Sequence, residues 1–546
     1  MFSKKSKITA LMVSVLLIFS VFNVIPTATQ AHAATSSTIV YGDVNGDGVC
    51  DLKDATSVCK YMVGQFTIPT AQTVASDVNL DGVISLKDAT CIQKYLVGLI
   101  SSLPYDASNE LYDIASGTIL HCWCWNFNTI KANIPSIAAA GFTSIQTSPI
   151  NQVIVGDNGG MQLMGNGKWY YHYQPTNYTI GNYQLGTLDE FKTMCQTAHQ
   201  YHINVIVDSV VNHMTGSQGS IDSSIKNIAG GAFHNVSGGI GSDRYSITQC
   251  QLLGLSDLNT QNPNIQQLIK NYLVSCVQAG ANGFRYDAAK HIELPDDSTS
   301  GKPAFASNFW PTVLDNGSKF QYGEILQDGD GDSSSCRLAA YIKYMHVTSS
   351  SYGARIRSAV TGSNLAVSNI QDYLVSGIDP SNLVTWFESH DNYCGDNTYT
   401  IPVQKVIDGW AIITARAGGT PLFFDRPAGS TTSSQWGNNL IGAAGSDMYK
   451  DSQVVAVNFF RNKFSSQPEA LSNPNNNTKT LMIERGTSGC TIVNTDSNSL
   501  VLSNCPVKSM ADGTYKDQVS GNSFTVSGGK ISGTVPAGKV AVIYNK

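Results

Sequence analysis

The stretch that decides the fold reads Gly283-Phe284-Arg285-Tyr286-Asp287-Ala288-Ala289-Lys290-His291. It begins as a short β-rich run, which predicts a strand. Polar side chains then gather where the run ends, at Asp287, Lys290 and His291. A strand that ends in clustered polar residues is typical of the catalytic edge of a parallel α/β fold.

Runs of the same kind recur between residues 117 and 421, and longer helical stretches separate them. The β-rich runs span residues 118–121, 143–146, 203–207, 283–286, 320–325, 383–387 and 422–424. About three hundred residues of alternating β and α structure is the size of a TIM barrel with insertions. We therefore predict an α/β fold, a (β/α)8 TIM barrel, with its catalytic residues at the C-terminal ends of the strands.

Acidic residues stand at the ends of several successive runs. They are Asp208, Asp287, Glu324 and Asp391. In a barrel these ends share one edge, so several carboxylates point at one cleft. Hydrolysis of a glycosidic bond needs two carboxylates, one to attack or to activate water and one to protonate the leaving oxygen. Crowded like charges also raise one carboxyl pKa, which an acid working near neutral pH requires.

These segments resemble the α-amylase family of glycoside hydrolases, family thirteen, and most closely the secreted bacterial amylases of the Bacillus subtilis type. The likeness covers nearly everything after residue 110. It implies that Asp287 is the nucleophile, Glu324 the general acid/base and Asp391 the transition-state stabiliser. Asp208 is expected to be a structural hydrogen-bonding residue. The resemblance also implies a set of sugar-binding residues: Tyr173, Gln174, His213, Arg285, Lys290 and His390.

The resemblance implies a secreted, endo-acting, retaining α-amylase that hydrolyses internal α-1,4-glucosidic bonds of starch and related glucans by double displacement. A glucanotransferase, or a pullulan- or cyclodextrin-cleaving enzyme of the same family, is an alternative, because all of these share the three acids. A non-catalytic starch-binding scaffold component is a third possibility. The complete set Arg285, Asp287, Glu324 and Asp391 speaks against it.

A calcium ion is also implied by the resemblance. Its expected ligands are Asn212 at a strand end, Thr248 and Asp257 in the long loop after the third strand, and the backbone carbonyl of His291. Oxygen ligands from separate loops suit Ca2+, which takes six to eight oxygens in flexible geometry. The ion is expected to fix the loop against the barrel and to shape the cleft.

A repeat lies near the N-terminus, where Asp77 follows Asp43 at a spacing of 34 residues. Each copy carries oxygen-bearing side chains at loop positions 1, 3, 5, 9 and 12 and glycine at position 6, which is the spacing of an EF-hand loop. Calcium ligands are therefore predicted at Asp43, Asn45, Asp47, Asp51 and Asp54 in the first copy, and at Asp77, Asn79, Asp81, Ser85 and Asp88 in the second.

An apolar-periodic helix follows each loop, without the helix that precedes the loop in a full EF-hand. A duplicated loop-plus-helix of this kind resembles a dockerin, an all-α module that binds a cohesin domain of a cellulosome-like scaffoldin. A purely structural calcium module is the alternative. So short a segment builds little core, so we expect calcium to supply its folding free energy.

The chain of 546 residues is expected to hold several segments. Residues 1–33 read as a signal peptide, with a lysine-rich start, an apolar run and a small-residue cleavage site. The dockerin is placed at 40–103, the catalytic barrel at 110–450 with an inserted domain at about 213–258, and an alternating, β-rich C-terminal sandwich at 451–546. We therefore expect an extracellular, scaffold- or cell-surface-associated protein without a membrane span after cleavage.

Composition excludes other classes of function. Charged residues make up only 14% of the chain and the net charge is −6, so no basic surface for nucleic acid is expected. The expected partners are an α-glucan and a cohesin, and the enzyme is expected to be a monomer. The chain has twelve cysteines, and those in apparent strands and helices, Cys122, Cys124, Cys195 and Cys276, read as small buried hydrophobes. Cys490 and Cys505 are the best-placed pair for a disulfide, but we expect none.

Overall fold

The computed structural model of the chain describes residues 39–80, 82–97, 103–104, 111–327, 336–375 and 377–545. The chain divides into two compact units, residues 1–110 and 111–546. The expected signal peptide and the predicted ligand Asp81 lie outside the described residues. Within the described ranges, no helix combines the length and the apolar character that crossing a bilayer requires.

The N-terminal unit contains two helices of equal length, α1 (Leu52–Met62) and α2 (Leu86–Leu96). A 3-10 turn (Thr70–Gln72) and a short helix (Thr73–Ser76) lie between them. The two repeats pack against each other through a small shared core of buried side chains, which includes Val44, Ala55, Val58, Val78, Ala89 and Ile92. This is the all-α, duplicated loop-and-helix architecture that the repeat predicts.

Both helices of this unit begin at a capping box. In α1 the Asp51 side chain accepts a backbone N–H of the first turn, and the Asp54 side chain accepts the N–H of Asp51. Ser85 and Asp88 do the same for α2. Such reciprocal caps satisfy N–H groups that have no partner within the helix. Loop positions 9 and 12 therefore fix where each helix starts.

The second unit is built on a closed barrel of eight parallel strands, ordered β1-β8-β7-β6-β5-β4-β3-β2 around the barrel. The strands are β1 Ile119–Cys122, β2 Ser144–Thr147, β3 Asn204–Val210, β4 Gly283–Asp287, β5 Phe320–Gly323, β6 His346–Thr348, β7 Leu383–Trp386 and β8 Thr420–Phe424. The main helices after them are Phe127–Ala139, Leu188–Gln200, Pro263–Gln278, Phe309–Val313, Leu338–Tyr341, Ser350–Thr361, Val403–Ala415 and Ser452–Phe464. The predicted TIM barrel is confirmed.

Shorter elements occupy the connections. Three antiparallel pairs join Asn151–Val153 to Pro175–Ile180, Met164–Gly165 to Gly167–Lys168, and His213–Met214 to Ser256–Asp257. The remaining short helices and 3-10 turns are Ile114–Ser116, Asp157–Gly159, Trp169–Tyr173, Gln218–Ser220, Ser223–Lys226, Arg244–Gln249, Ala289–His291, Val367–Ile370, Pro380–Asn382, His390–Gly395, Thr398–Thr400, Asp447–Lys450 and Pro474–Asn476. The long excursions after β2 and β3 lie at the C-terminal edge of the barrel, where they form walls above it.

Two four-stranded antiparallel sheets follow the barrel. Their orders are Glu469–Ser472, Thr480–Arg485, Gly489–Asn494, Val540–Tyr544 in one sheet and Leu500–Pro506, Lys530–Val535, Ser523–Ser527, Gly513–Lys516 in the other. Buried residues of both sheets, such as Ile492, Ile543, Phe524 and Val526, share one core. The predicted C-terminal β-sandwich is therefore present.

The start of this region differs from the expectation. Ser452–Phe464 is a helix, and the first strand of the sandwich begins at Glu469. The sequence predicts β structure at this point because the segment is rich in valine and has no clear polar face. Both features have one cause: the helix is buried on most sides, including Val454, Val457 and Phe460. Packing therefore outweighs the intrinsic preference of the segment.

All twelve cysteines lie within the described residues, and none forms a disulfide. Nine of them are buried, and three are half-buried: Cys50, Cys59 and Cys394. Cys490 and Cys505, the best-placed pair from the sequence, are both free. The interpretation of the cysteines as small core residues is confirmed.

Candidate active site

Arg285 lies at the centre of the polar cluster at the C-terminal edge of the barrel. Its side chain points to the same side of β4 as that of Asp287, because alternate residues of a strand share a face. Asp208 stands opposite Arg285 in the register of β3 with β4. Glu324 is the first residue after β5. The three adjacent strands β3, β4 and β5 thus place Arg285 and the carboxylates of Asp208, Asp287 and Glu324 close together.

The guanidinium of Arg285 binds all three carboxylates. Its Nη1 lies 2.8 and 2.9 Å from the two oxygens of Asp208 and 2.7 Å from Oδ1 of Asp287. Its Nη2 lies 2.7 Å from Oε1 of Glu324. The arginine is buried, as is Asp208. Charge-assisted bonds of this kind in a water-poor site fix both geometry and ionisation.

A strained turn after β4 orients Glu324. Ala288 has the left-handed backbone conformation at φ +48°, which is uncommon for a residue with a Cβ. Its N–H donates to Oε2 of Glu324 at 2.9 Å. Both oxygens of Glu324 are therefore fixed, one by Arg285 and one by this backbone N–H. Backbone strain of this kind is concentrated at functional sites.

The carboxyl groups have shifted pKa values. Burial raises the pKa of Asp287 to about 8, against the opposing effect of Arg285. Desolvation within the cleft also raises the pKa of Asp391 well above its ordinary value, although the side chain is 47% exposed, and the charge of Glu324 adds to this rise. For Glu324 itself, burial raises the pKa most strongly, but Arg285, the N–H of Ala288, His390 and Asp391 together outweigh it, so the net shift of the pKa is downward. The cluster therefore retains a proton near neutral pH, and Glu324 and Asp391 are hydrogen-bonded to each other.

Aromatic and imidazole side chains surround the acids. The ring of Tyr173 stacks on His390 with a centroid distance of 5.2 Å, and its hydroxyl donates to Asp208 at 3.0 Å. His213 Nε2 lies 3.2 Å from the carbonyl oxygen of Tyr173 and 4.0 Å from Oδ2 of Asp287. Burial lowers the pKa of His213 to about 4 and that of His390 to about 3. Both imidazoles are neutral at working pH, so each offers one donor and one acceptor nitrogen.

These residues line an open cleft of about 540 Å³. The predicted site residues that meet in it are Tyr173, Gln174, His213, Asp287, Lys290, His291, Glu324, His390 and Asp391. Arg285 lies buried beneath them. The side chain of Gln174 also accepts a hydrogen bond from Thr215, and that of Lys290 donates to the carbonyl oxygen of Leu326.

The cleft also contains residues that the sequence analysis did not name as site residues. Trp169 packs edge-on against Tyr173 and His390. Leu252, Leu253 and Leu255 form an apolar rim, and Leu253 is 91% exposed with a left-handed backbone at φ +53°. Only the proximity of Trp169 to Tyr173 in the sequence pointed to such a role. A leucine in a loop carries no comparable signal.

The predicted calcium ligands of the barrel lie in neighbouring segments. Leu258 N–H donates to the carbonyl oxygen of Asn212 at 3.0 Å, which brings Asn212 beside Asp257. His291 Nδ1–H donates to the carbonyl oxygen of Ile247 at 2.9 Å, which brings His291 beside Thr248. The Thr248 hydroxyl donates to a backbone carbonyl.

The donor chemistry of this set fits a hard cation. Burial raises the pKa of Asp257 well above its ordinary value. One of its oxygens, Oδ2, accepts the Nδ1–H of His234 at 2.7 Å. Among the described residues nothing donates to its other oxygen, Oδ1. Ca2+ is bound in proteins by carboxylate, amide, hydroxyl and carbonyl oxygens. Asp257 has a carboxylate oxygen that is not hydrogen-bonded, and the other predicted ligands supply the remaining oxygen types.

The loops of the N-terminal unit are wrapped around their first aspartates. Oδ1 of Asp43 accepts the N–H groups of Gly46 and Asp47 at 2.8 and 3.0 Å, and Oδ2 accepts that of Gly48 at 3.0 Å. In the second loop, Oδ1 of Asp77 is buried without a hydrogen-bond partner. Over the described residues, no three His, Cys, Asp or Glu side chains gather as a metal site.

Comparison with known proteins matches the two units to two families. The family model of the dockerin type I domain matches residues 41–97, and that of the α-amylase catalytic domain matches residues 126–234. An α-amylase of Butyrivibrio fibrisolvens is 44% identical over 483 residues, which cover 81% of this chain and 49% of that protein. The N-terminal unit is thus similar to dockerin type I domains, and the barrel unit is similar to α-amylase catalytic domains.

A second relative and two solved structures are also similar to this chain. An α-amylase of Clostridium acetobutylicum is 39% identical over 441 residues, covering 79% of this chain and 54% of that protein. The chain thus spans about half the length of these two relatives. In fold, it is similar to α-amylase I of Eisenia fetida, with a TM-score of 0.63 at 17% identity over 80% of this chain and 99% of that one. A γ-CGTase of an alkalophilic Bacillus clarkii matches with a TM-score of 0.62 at 19% identity over 81% and 71%.

Proposed function

We propose that the amylase domain is a retaining, endo-acting α-amylase that hydrolyses internal α-1,4-glucosidic bonds of starch and related glucans. The observation that carries the proposal is the contact of one buried guanidinium, that of Arg285, with Asp208, Asp287 and Glu324 at the ends of adjacent strands. Retaining glycosidases need two carboxyl groups close together, about 5–5.5 Å apart. Arg285 contacts both Asp287 and Glu324, and this supports a short distance between their two carboxyl groups.

In the first step Asp287 attacks the anomeric carbon while Glu324 gives a proton to the glycosidic oxygen. The carbon–oxygen bond to the leaving sugar breaks, and a bond to the Asp287 carboxylate forms. Water then attacks the same carbon, gives its proton to Glu324 and releases Asp287. Each catalytic group returns to its starting state.

The proton that Glu324 needs comes from the cluster itself, where the pKa values of Asp287 and Asp391 are both raised, and Asp287 attacks in its ionised form. Asp391 is hydrogen-bonded to Glu324 and holds its proton above the ordinary carboxyl range. When a sugar hydroxyl takes the place of that hydrogen bond, the proton moves to Glu324. Asp391 is left as a carboxylate that grips the hydroxyls of the distorted sugar in the transition state.

The remaining cleft residues bind and orient the glucan. Tyr173, Gln174, His213, Lys290 and His390 line its walls. Aromatic faces offer flat apolar surfaces to sugar rings, while neutral imidazoles exchange hydrogen bonds with hydroxyl groups. Arg285 keeps Asp287 aligned for attack, which makes it a positioning residue.

A calcium ion would be held in the amylase domain by Asn212, Thr248, Asp257 and the carbonyl of His291. When bound, it would supply positive charge next to the buried carboxylate of Asp257. Its proposed ligands lie in the excursion after β3 and in the loop after β4. Calcium would also be held by the two dockerin loops. Their proposed ligands are Asp43, Asn45, Asp47, Asp51, Asp54, Asp77, Asn79, Asp81, Ser85 and Asp88.

The dockerin domain is proposed to bind a cohesin domain of a scaffoldin. This assigns the protein to an extracellular setting, reached with the signal peptide at residues 1–33. We propose the remaining boundaries as 40–103 for the dockerin, 110–450 for the barrel with its insertion at about 213–258, and 451–546 for the C-terminal domain. The enzyme is proposed to be a monomer.

Product analysis on amylose tests the activity. The proposal predicts linear malto-oligosaccharides of several lengths from the earliest time points. Cyclic products would indicate a glucanotransferase instead, and this outcome is worth measuring because the fold is shared with a γ-CGTase. Cleavage of pullulan or cyclodextrin alone would also contradict it. Binding of starch without release of reducing ends would indicate a non-catalytic scaffold component.

A further inference from the structure

A buried imidazole stands behind the proposed calcium ligand Asp257. His234 lies in the excursion after β3, and its side chain is 6% exposed. Its backbone N–H donates to the carbonyl oxygen of Asp257 at 3.0 Å, and its Nδ1–H donates to Oδ2 of the same residue at 2.7 Å. Two hydrogen bonds between the same two residues fix both the backbone and the carboxylate of Asp257.

The other ring nitrogen of His234 faces a second buried acid. Its Nε2 lies 3.5 Å from Oε1 of Glu293, which is fully buried. Glu293 is fixed on its own side by the amide of Gln249 and the hydroxyl of Thr260. The imidazole therefore lies between two carboxylates but is hydrogen-bonded to only one of them, because Nε2 has no hydrogen-bond partner among the described residues. The ring cannot rotate without losing the bond to Asp257.

His234 and the two carboxylates beside it come from two loops at the edge of the barrel. Asp257 ends the short strand Ser256–Asp257 in the excursion after β3. Glu293 follows β4 and comes two residues after His291. The proposed ligands Asp257 and His291 thus belong to the two segments that meet where His234 Nε2 lies 3.5 Å from Glu293.

We propose that His234 is a positioning residue for the cation: it holds Oδ2 of Asp257 and thereby presents Oδ1 as a ligand. The inference rests on the calcium site put forward under the proposed function. Its physical reason is that hydrogen bonds to a ligating carboxylate restrict its orientation before the metal arrives. Loss of such an outer hydrogen bond costs about 10- to 100-fold in metal affinity.

The experiment measures calcium affinity in the full chain by isothermal titration calorimetry with calcium alone as the probe. All proteins compared carry Asp43→Ala and Asp77→Ala, so that the dockerin loops do not contribute. We expect His234→Leu to weaken binding by about 10- to 100-fold. His234→Asn should regain most of the affinity, because its amide N–H can replace Nδ1–H.

A matched control is His199→Leu. The His199→Leu variant also loses one hydrogen bond, from Nε2 to Oδ1 of Asn282, but His199 belongs to the helix Leu188–Gln200 and not to the excursion after β3. Its calcium affinity should equal that of the parent. The rise in thermal midpoint on adding calcium gives a second readout, which should be smaller in His234→Leu than in His199→Leu.

Unchanged calcium affinity in His234→Leu would overturn the inference while leaving the calcium site intact, provided that Asp257→Asn abolishes binding. If the parent itself binds no calcium, the calcium site fails and the inference fails with it. Starch hydrolysis by that parent would still stand as a separate result. Should His234→Leu not fold, His234→Asn decides: a loss of calcium affinity as large as that in Asp257→Asn would contradict the role of the Nδ1–H donor.

Discussion

Asp208 and Arg285 face each other across neighbouring strands, and one guanidinium nitrogen lies within 2.9 Å of both carboxylate oxygens. Asp208 is fully buried and has one further partner, the hydroxyl of Tyr173. It does not line the cleft. Its effect on a reaction therefore passes through Arg285, which holds Asp287 and Glu324 in turn, and through Tyr173, which lines the cleft.

Asp208→Asn should lower kcat more than it changes KM. The amide places an N–H group against the guanidinium, which shifts Arg285 and misaligns Asp287. Misplacement by about 1 Å costs up to about 100-fold in rate. Steady-state kinetics on soluble amylose measure both constants. Asp315→Asn, which removes an exposed carboxylate paired with Lys270, should leave both unchanged; equal kcat in the two variants would count against the role given to Asp208.

Glu324→Gln and Asp287→Asn should each abolish most of the hydrolysis. A positioned acid or base contributes about 100- to 10,000-fold, and a nucleophile cannot be replaced by an amide of the same shape. Initial rates of reducing-end release from amylose give the comparison. Wild-type rates in either variant would show that the acids are assigned incorrectly.

Asp287→Asn should also change how stability depends on pH. The folded pKa of about 8 lies above the ordinary carboxyl value of about 3.9, so the folded state binds this proton more tightly than the unfolded state. The resulting stabilisation is complete below the unfolded pKa and is lost as pH rises through about 8. The thermal midpoint of the parent should therefore fall between pH 5 and pH 9 more steeply than that of the variant. Parallel curves would contradict the raised pKa.

Glu469→Gln should destabilise the joint between the barrel and the β-sandwich. Glu469 binds the buried guanidinium of Arg416 through both carboxylate oxygens. Removing one partner of a buried ion pair costs about 3 kcal/mol, since the other charge stays buried without compensation. Calorimetric unfolding measures the shift. Asp447→Asn, which breaks the exposed pair with Lys450, should stay within about 0.5 kcal/mol of the parent.

Calcium removal should unfold the dockerin domain. Its core is small, so cation binding to the two loops supplies much of its stability. EDTA should reduce the helical circular dichroism contributed by α1 and α2 and abolish cohesin capture on beads. Asp43→Ala with Asp77→Ala should do the same in the presence of calcium. Capture that survives EDTA would show that the loops do not need the ion.

Most of the barrel could be predicted from the sequence, because its strands are short apolar runs that end in polar residues. The strand His346–Thr348 could not: with three residues it carries too little pattern to separate from its neighbours. The helix Ser452–Phe464 reads as β structure in the sequence because its burial on most sides removes the helical periodicity. In both cases tertiary packing decides the structure.

The catalytic cluster was predictable for a different reason. Asp287, Glu324 and Asp391 carry their chemistry in their residue types. Asp287 and Glu324 stand at strand ends, and Asp391 lies in the helix His390–Gly395 that follows β7. His234 and Glu293 have no such position, since both lie in loops and come together only through the fold. Their pairing could be found only from the structure.

Proton NMR of freshly released reducing ends is the most direct test of retaining hydrolysis of α-1,4-glucan. With maltoheptaose as substrate, double displacement through Asp287 predicts that the first products carry the α-anomeric signal, and that the β-anomer appears only later by mutarotation. First products in the β-configuration, or no new reducing ends at all, would contradict the account.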